Sequence, residues 1–312
     1  MKIIALQAPG GVDQLIYQEL ALPVPNNEEV LIEVRAISIN PVDIKTRMGK
    51  GFYSRLKDEH PMIIGWDISG VVSETRSPLF KKGDAVFGMV NFPGHGRAYA
   101  EYVAAPAAHL ALKPADISFE EAAAATLAAL TAWQVLVDHA GIKAGNRVLI
   151  HAAAGGVGHY AVQIAKALGA HVTGIASAAN RDFVLGLGAD EYFDYATGPF
   201  ESGVHDIDMA FDAVGGDTGL RTLPVLKKGG LLIGIAGGID DNVKEKAKEL
   251  GVTAISTLVQ SSGADMNKIA ELLKNKKMHS TVSSVFPFSA MADAHKQIET
   301  GRTRGKIIVT MD

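Results

Sequence analysis

The chain has 312 residues, 47% of them hydrophobic and 21% charged, with a formal net charge of −4 and no cysteine. That length exceeds one ordinary hydrophobic core, so about two domains are expected. A mild acidic balance without a basic run points away from nucleic acid and membrane surfaces, no apolar run nears the ~20 residues of a membrane span, and the missing thiols exclude disulfides, thiolate metal sites and cysteine nucleophiles.

Met1-Lys2 leads straight into Ile3-Ile4-Ala5-Leu6, which is short enough for a strand and unlike a signal peptide. With the absent cysteines this sets the expectation of a cytoplasmic protein. Val30, Ile32, Val34 and Ala36 alternate with Leu31, Glu33 and Arg35, and the phase then shifts at Ile37 and Ile39, as at a bulge or a strand end. Gly70-Val71-Val72 and Ala85-Val86-Phe87 are further strands, the second entered through the turn Lys82-Gly83-Asp84. Residues 1–117 are therefore expected to form a mostly β domain.

Composition changes at Lys113-Pro114-Ala115-Asp116, after which Ser118 and Glu121 make a capping box. An alanine-rich helical stretch follows to His139-Ala140-Gly141, with a break near Thr126 or Thr131. Arg147-Val148-Leu149-Ile150 then reads as a buried parallel strand, Ala153-Ala154-Gly155-Gly156-Val157-Gly158 as a glycine-rich turn, and Val157 to Leu168 as an amphipathic helix stopped by Gly169. Strand, tight turn and helix form the first unit of a dinucleotide-binding fold. Free N–H groups at the helix start attract a pyrophosphate, and glycine lets it approach the backbone. Against the pattern G-x-G-x-x-G, Ala153 stands in the first glycine position.

Alternation continues with strands at His171–Ala176, Asp190–Asp194, Ile207–Val214, Gly230–Ala236 and Val252–Thr257 and helices at Asn180–Leu187, Thr218–Leu226 and Met266–Asn275. Residues 118–277 are thus expected to be a doubly wound parallel-sheet domain. Strands at Thr281–Phe286 and Lys306–Thr310, with a helix at Ala290–Glu299 between them, are expected to return as residues 278–312 and complete the first domain.

Eight stretches in order resemble the zinc-independent, quinone-oxidoreductase-like branch of the medium-chain dehydrogenase/reductase superfamily. They are Ser38-Ile39-Asn40-Pro41-Val42-Asp43, Gly65-Trp66-Asp67-Ile68-Ser69-Gly70, Lys82-Gly83-Asp84-Ala85-Val86, Leu130-Thr131-Ala132-Trp133, Ala152 to Gly158, Leu187-Gly188-Ala189-Asp190, Asp212-Ala213-Val214-Gly215-Gly216 and Gly301-Arg302-Thr303-Arg304-Gly305-Lys306. The resemblance implies an α/β fold made of a GroES-like β domain and a Rossmann domain, and a homodimer. Zinc-dependent members of the superfamily carry a Cys ligand near position 40, a Gly-His-Glu near position 65 and a four-Cys lobe. This chain has Asn40, Gly65-Trp66-Asp67 and no cysteine there, so no metal is expected and Asp43, Asp67 and His95 read as turn, buried or loop residues.

Cofactor contacts follow from the turn and from the resemblance. Ala153, Ala154, Gly155, Gly156 and Val157 form the phosphate turn. An NAD-specific fold places Asp or Glu at the tip of the second strand, about 20 residues on. Ser177, Asn180 and Arg181 stand there instead and suit a 2′-phosphate, so NADP(H) is the expected cofactor. The resemblance places Asn40 and Thr131 near the nicotinamide ribose and phosphate, and Tyr195 on the adenine side. It places Val214, Ala236 and Gly237 near the nicotinamide ribose, and Arg304 or Lys306 at the outer phosphates. Leu258 and Val259 approach the nicotinamide in that family; core packing is the plain alternative for both.

Reducing a simple ketone makes a localised alkoxide, which calls for a Lewis acid or a proton donor. Reducing a quinone or an α,β-unsaturated carbonyl makes a delocalised phenolate or enolate, which hydrogen-bond donors and water can serve. The expected substrate is accordingly a quinone or enone. Tyr53 matches a tyrosine that this family often sets over its active site, as acid or as wall. Lys45 reaches the carbonyl oxygen or lies solvated. The alternative is a non-catalytic NADP(H)-binding sensor, regulator or structural protein.

Overall fold

In this computed structural model, residues 1–235 and 237–312 are described. The alternating run from Glu29 becomes one strand, β3 (Glu29–Ile39), which follows β1 (Lys2–Leu6) and β2 (Leu15–Glu19). The phase shift is a bulge rather than an end. Register slips between Val34 and Ala36, so exposed Arg35 is extruded while Val34, Ala36 and Ile37 all stay buried. The strand β3 pairs antiparallel with β4 (Asp67–Thr75), which pairs with β5 (Ala85–Met89), while β6 (Tyr102–Pro106) also pairs with β3 and β7 (Leu110–Leu112) with β5.

Two short helices follow β3. The first, α1 (Pro41–Arg47), went unanticipated; Pro41 opens it with a preset φ, and Asp43 Oδ2 accepts the Asn40 N–H at 2.8 Å. The second is α2 (Tyr53–Leu56). The capping box of Ser118 and Glu121 opens α3 (Phe119–Ala124), whose Ala123 and Ala124 pack with Ala36 and Ile308.

Beyond α4 (Leu127–Trp133), a six-residue π-helical segment covers Gln134–His139. Then come β8 (Arg147–Ile150), α5 (Gly158–Ala167), β9 (His171–Ala176), α6 (Arg181–Gly186), β10 (Glu191–Asp194), β11 (Ile207–Asp212), α7 (Thr218–Thr222), β12 (Leu226–Gly234), α8 (Asp241–Leu250) and β13 (Thr253–Ser256). The six strands form a parallel sheet in the order β10-β9-β8-β11-β12-β13, the doubly wound arrangement that the alternation implied. The helix expected to run from Thr218 to Leu226 stops at Thr222, because Pro224 cannot continue it, and Leu226 already begins β12. The helix α8 was missed because only Val243 and Ala247 of its charged run are buried.

The chain ends with α9 (Gly263–Lys274), β14 (Val282–Pro287), α10 (Met291–Glu299) and β15 (Lys306–Thr310), and β15 pairs antiparallel with β3. Two compact units result: Met1–Leu130 with Val259–Asp312, and Thr131–Leu258. Both crossings lie inside the limits set from composition, because α3 packs on the first sheet and α9 on β7. A Cβ at Gly263 would stand only 2.5 Å from Ala108 O and 2.8 Å from Leu110 O. Among the described residues no helix is long and apolar enough to cross a membrane.

Candidate active site

In the second unit the parallel sheet aligns its carboxyl ends. Ala176 pairs with Asp194, Gly174 with Ile150, Ile150 with Phe211, Asp212 with Gly234 and Gly234 with Ser256. Six sequence candidates lie within about three residues of six strand ends: Tyr195 after β10, Ser177 after β9, the glycine turn after β8, Val214 after β11, Gly237 after β12 and Leu258 after β13. Strand order reverses between β8 and β11, the place where open α/β sheets bind ligands. Tyr195, Val214 and Leu258 are exposed. Asp212 Oδ1 shapes the turn at Val214 by accepting the Val214 and Gly215 N–H groups at 2.8 and 3.0 Å. Ala236 lies outside the described residues.

The glycine turn has a defined geometry. Ala152 adopts φ +51°, and its carbonyl accepts Gly155 N–H at 2.8 Å. Gly158 begins α5, and a Cβ there would meet Ala152 O at 2.1 Å, so this position admits only glycine. Ala153 can replace the first glycine because its neighbour on β9 is Gly174; a Cβ on Gly174 would lie 3.1 Å from the Ala153 Cβ. Ala153 and Ala154 are buried, while Gly155, Gly156 and Val157 keep partial exposure at the start of a ten-residue helix. The partial positive charge of such a helix start favours an anionic phosphate there.

At the strand tip, Asn180 Nδ2 donates to Ser177 Oγ at 3.0 Å, leaving the hydroxyl proton of Ser177 to donate. Arg181 is exposed and faces Asp182 at 3.4 Å, a pairing too solvated to compete strongly with a phosphate. Thr131 is buried within α4.

In the first unit the candidates meet in a buried charged cluster. Lys306 Nζ donates to Ile39 O at 3.0 Å and to Asn40 Oδ1. Asn40 Nδ2 donates to Asp67 Oδ2 at 2.7 Å, and Asp67 Oδ1 accepts Leu127 N–H at 3.0 Å. Lys306 is 3% exposed, away from the solvent-facing place expected of an outer-phosphate ligand, whereas Arg304 is exposed. Burial lowers the Lys306 ammonium and raises Asp67, and their mutual attraction opposes both changes. Burial likewise pushes Asp43 up to about 7. Close by, the Tyr99 hydroxyl meets His295 Nε2 at 2.8 Å, and burial with the nearby Arg47 charge holds His295 down to about 3.

This cluster, beyond Asn40 and Lys306, was missed as a site. Its signals are a carboxylate inside the apolar run Trp66-Asp67-Ile68 and a lysine heading Ile307-Ile308-Val309. Only the register joins them, since Ser38 pairs with Asp67 and Ile39 with Ile307. Tyr53 begins α2, half-buried, and Lys45 is exposed on α1. The preceding residue, Phe52, packs edge-on against Phe92 and Trp66 with ring centroids at 4.9 and 6.1 Å, and Trp66 Nε1 donates to Gly94 O at 2.7 Å. Val259 is buried, in keeping with core packing.

The chain matches family models described as alcohol dehydrogenase GroES-like domain over residues 26–115 and zinc-binding dehydrogenase over residues 187–309. It is 36% identical to a chloroplastic quinone-oxidoreductase homolog of Spinacia oleracea, over 96% of this chain and 95% of that one. It is 32% identical to a chloroplastic NADPH-dependent alkenal/one oxidoreductase of Arabidopsis thaliana, over 96% of this chain and 77% of the relative. Its structure is similar to that of the quinone oxidoreductase from Coxiella burnetii, with a TM-score of 0.94, 35% identity and coverage of 100% and 99%.

Zinc does not fit the residues present. Asn40 and Asp67 are bonded to each other, and the cation beside them is the Lys306 ammonium. Among the described residues no three His, Asp or Glu side chains gather as a metal ion would need.

Proposed function

Because the chain belongs to the zinc-independent, quinone-oxidoreductase-like branch of the medium-chain dehydrogenase/reductase superfamily, we propose that it is a metal-independent oxidoreductase that uses NADPH to reduce quinones or α,β-unsaturated carbonyls. The observation that carries this reading is the Asn40–Asp67–Lys306 cluster. Its donor set holds a side-chain cation in buried hydrogen bonds and offers no Lewis acid to a localised alkoxide. A substrate whose reduced oxygen delocalises its charge needs none.

NADPH, when bound, supplies the hydride equivalent. The chain's own residues do the rest. Gly155, Gly156 and Val157 hold the pyrophosphate, Ser177, Asn180 and Arg181 the 2′-phosphate, Tyr195 the adenine side, and Thr131, Val214 and Asn40 the nicotinamide riboside. Tyr53, half-buried at the start of α2, gives the proton to the oxygen of the reduced product, and Lys45 stays solvated. The protein works as a homodimer in the cytoplasm.

The test is NADPH oxidation by the purified protein against a panel of quinones, enones and enals. Turnover of at least one class is expected, with no stoichiometric zinc by elemental analysis and no loss of rate with a chelator. Tight NADPH binding without oxidation of any panel member makes the protein a sensor or structural relative instead. One zinc per chain, lost together with activity, overturns the metal-independent reading.

A further inference from the structure

The Asn40 amide is held on both its polar atoms. Lys306 Nζ donates to Oδ1, while Nδ2 donates to Asp67 Oδ2 at 2.7 Å and to Ser38 O at 3.3 Å. An ammonium carries only donors and an ionised carboxylate only acceptors. Turning the amide by half a revolution would set Nδ2 against the ammonium and Oδ1 against the carboxylate and the carbonyl. Asp67 and Lys306 are themselves anchored, by Leu127 N–H at 3.0 Å and by Ile39 O at 3.0 Å. All three side chains are buried, at 1%, 0% and 3% exposure for Asn40, Asp67 and Lys306, so bulk water does not relieve a turned amide.

We propose that Lys306 and Asp67 are positioning residues that lock Asn40 in one orientation, in which it serves the bound cofactor as a hydrogen-bond acceptor. Both amide protons are spent inside the protein, so whatever Asn40 offers a ligand it offers through Oδ1. That suits a hydroxyl or carboxamide N–H of the nicotinamide riboside. It does not suit the oxygen of a quinone or enone, which must receive a hydrogen bond as charge builds on it. Asn40 therefore belongs to cofactor placement and takes no part in stabilising the product oxyanion. The inference rests on the placement of Asn40 beside the cofactor in the proposed function.

The experiment measures the NADPH dissociation constant by fluorescence titration, and Tm, for wild type, Lys306→Met, Asp67→Asn and the double variant. Lys306→Met removes the donor to Oδ1, and affinity should fall about tenfold. Asp67→Asn keeps Lys306 in place and still offers a carbonyl to Nδ2, so Tm should fall while affinity stays within about threefold. The double variant carries neither charge; its Tm should exceed that of Lys306→Met while its affinity stays low. Affinity that simply follows Tm through the series, or wild-type affinity in the double variant, overturns the lock. If Lys306→Met alone does not fold, the double variant against Asp67→Asn carries the comparison. A wild type that fails to bind NADPH overturns the cofactor role of Asn40 as well, and that result needs no variant to be read.

Discussion

At the carboxyl edge of the parallel sheet the chain presents backbone: turns after six aligned strands, a helix start, and side chains such as Tyr195 and Val214 that stand mostly in solvent. Inside the first unit it presents the reverse, with Asn40, Asp43, Asp67, Tyr99, His295 and Lys306 all buried and held by one another. The first region offers a ligand groups that every residue owns, so it should tolerate change where an added side chain has room and keeps clear of that ligand. The second depends on the charge and valence of particular side chains, because a buried ion without its partner is costly. Substitutions should therefore separate binding from stability at the sheet edge, whereas removing one charged partner of the cluster should always cost stability, whatever it does to binding.

The largest effect should come at the glycine turn. Gly156→Val is expected to weaken NADPH binding by roughly a hundredfold or more with little change in Tm, since its branched side chain takes the space of the phosphate. Gly158→Ala, two residues on, should instead lower Tm, because its Cβ would press on Ala152 O at 2.1 Å. Titration and thermal unfolding of both variants check this. Equal loss of Tm in the two would erase the distinction within the turn.

An intermediate effect is expected at the tip of β9. A carboxylate at position 177 repels a 2′-phosphate and accepts from a ribose hydroxyl. Ser177→Asp should reverse a wild-type preference for NADPH, moving the ratio of kcat/KM values by about one to two decades at unchanged stability. A ratio that does not move, or a wild type indifferent to the phosphate, would take Ser177 out of the site.

The smallest effect concerns acid. Asp43 stays protonated in the folded chain up to about 7, against 3.8 for an ordinary aspartate, so its contribution is whole below the lower value and is lost as pH rises through the upper. His295 and His151 run the other way. Burial lowers them to about 3 and about 4 from 6.5, so their contributions are whole above 6.5 and are lost as pH falls toward the lower values. At about pH 5 the unfolded chain protonates both histidines and releases the Asp43 proton, so the two kinds of group oppose each other. Unfolding should take up about one more proton in Asp43→Asn than in wild type, read from the pH dependence of Tm. The same uptake in both proteins would mean that Asp43 ionises normally.

These differences also decide what was legible in the sequence. The sheet edge was readable because each strand and its turn are written within a few residues: Arg147 to Gly158 carries strand, turn and helix start in a single run. The bulge of β3 was readable as a phase shift, though only the pairing shows that the strand continues to Ile39. The cluster was not readable as a unit, because residues 40, 67 and 306 meet only through the register of three strands. The helix α8 was lost for a local reason, a face of just two buried residues. For Tyr53 the sequence supplied a family likeness, and the structure adds that it opens α2 half-buried, next in the chain to Phe52, which packs on Trp66 and Phe92.

The methyl group shared between Ala153 and Gly174 has a historical consequence. One Cβ fits between the turn and β9, and this chain carries it on the turn side, where the family pattern has glycine. Ala153→Gly opens only a small void, whereas Gly174→Ala forces Cβ atoms together at 3.1 Å and, whichever residue stands at 153, drives a carbon 2.5 Å from Val184 Cγ1. The methyl group can leave the turn in one step, but to reappear on β9 it needs room at both 153 and 184, so position 174 is bound to vary only together with these two neighbours.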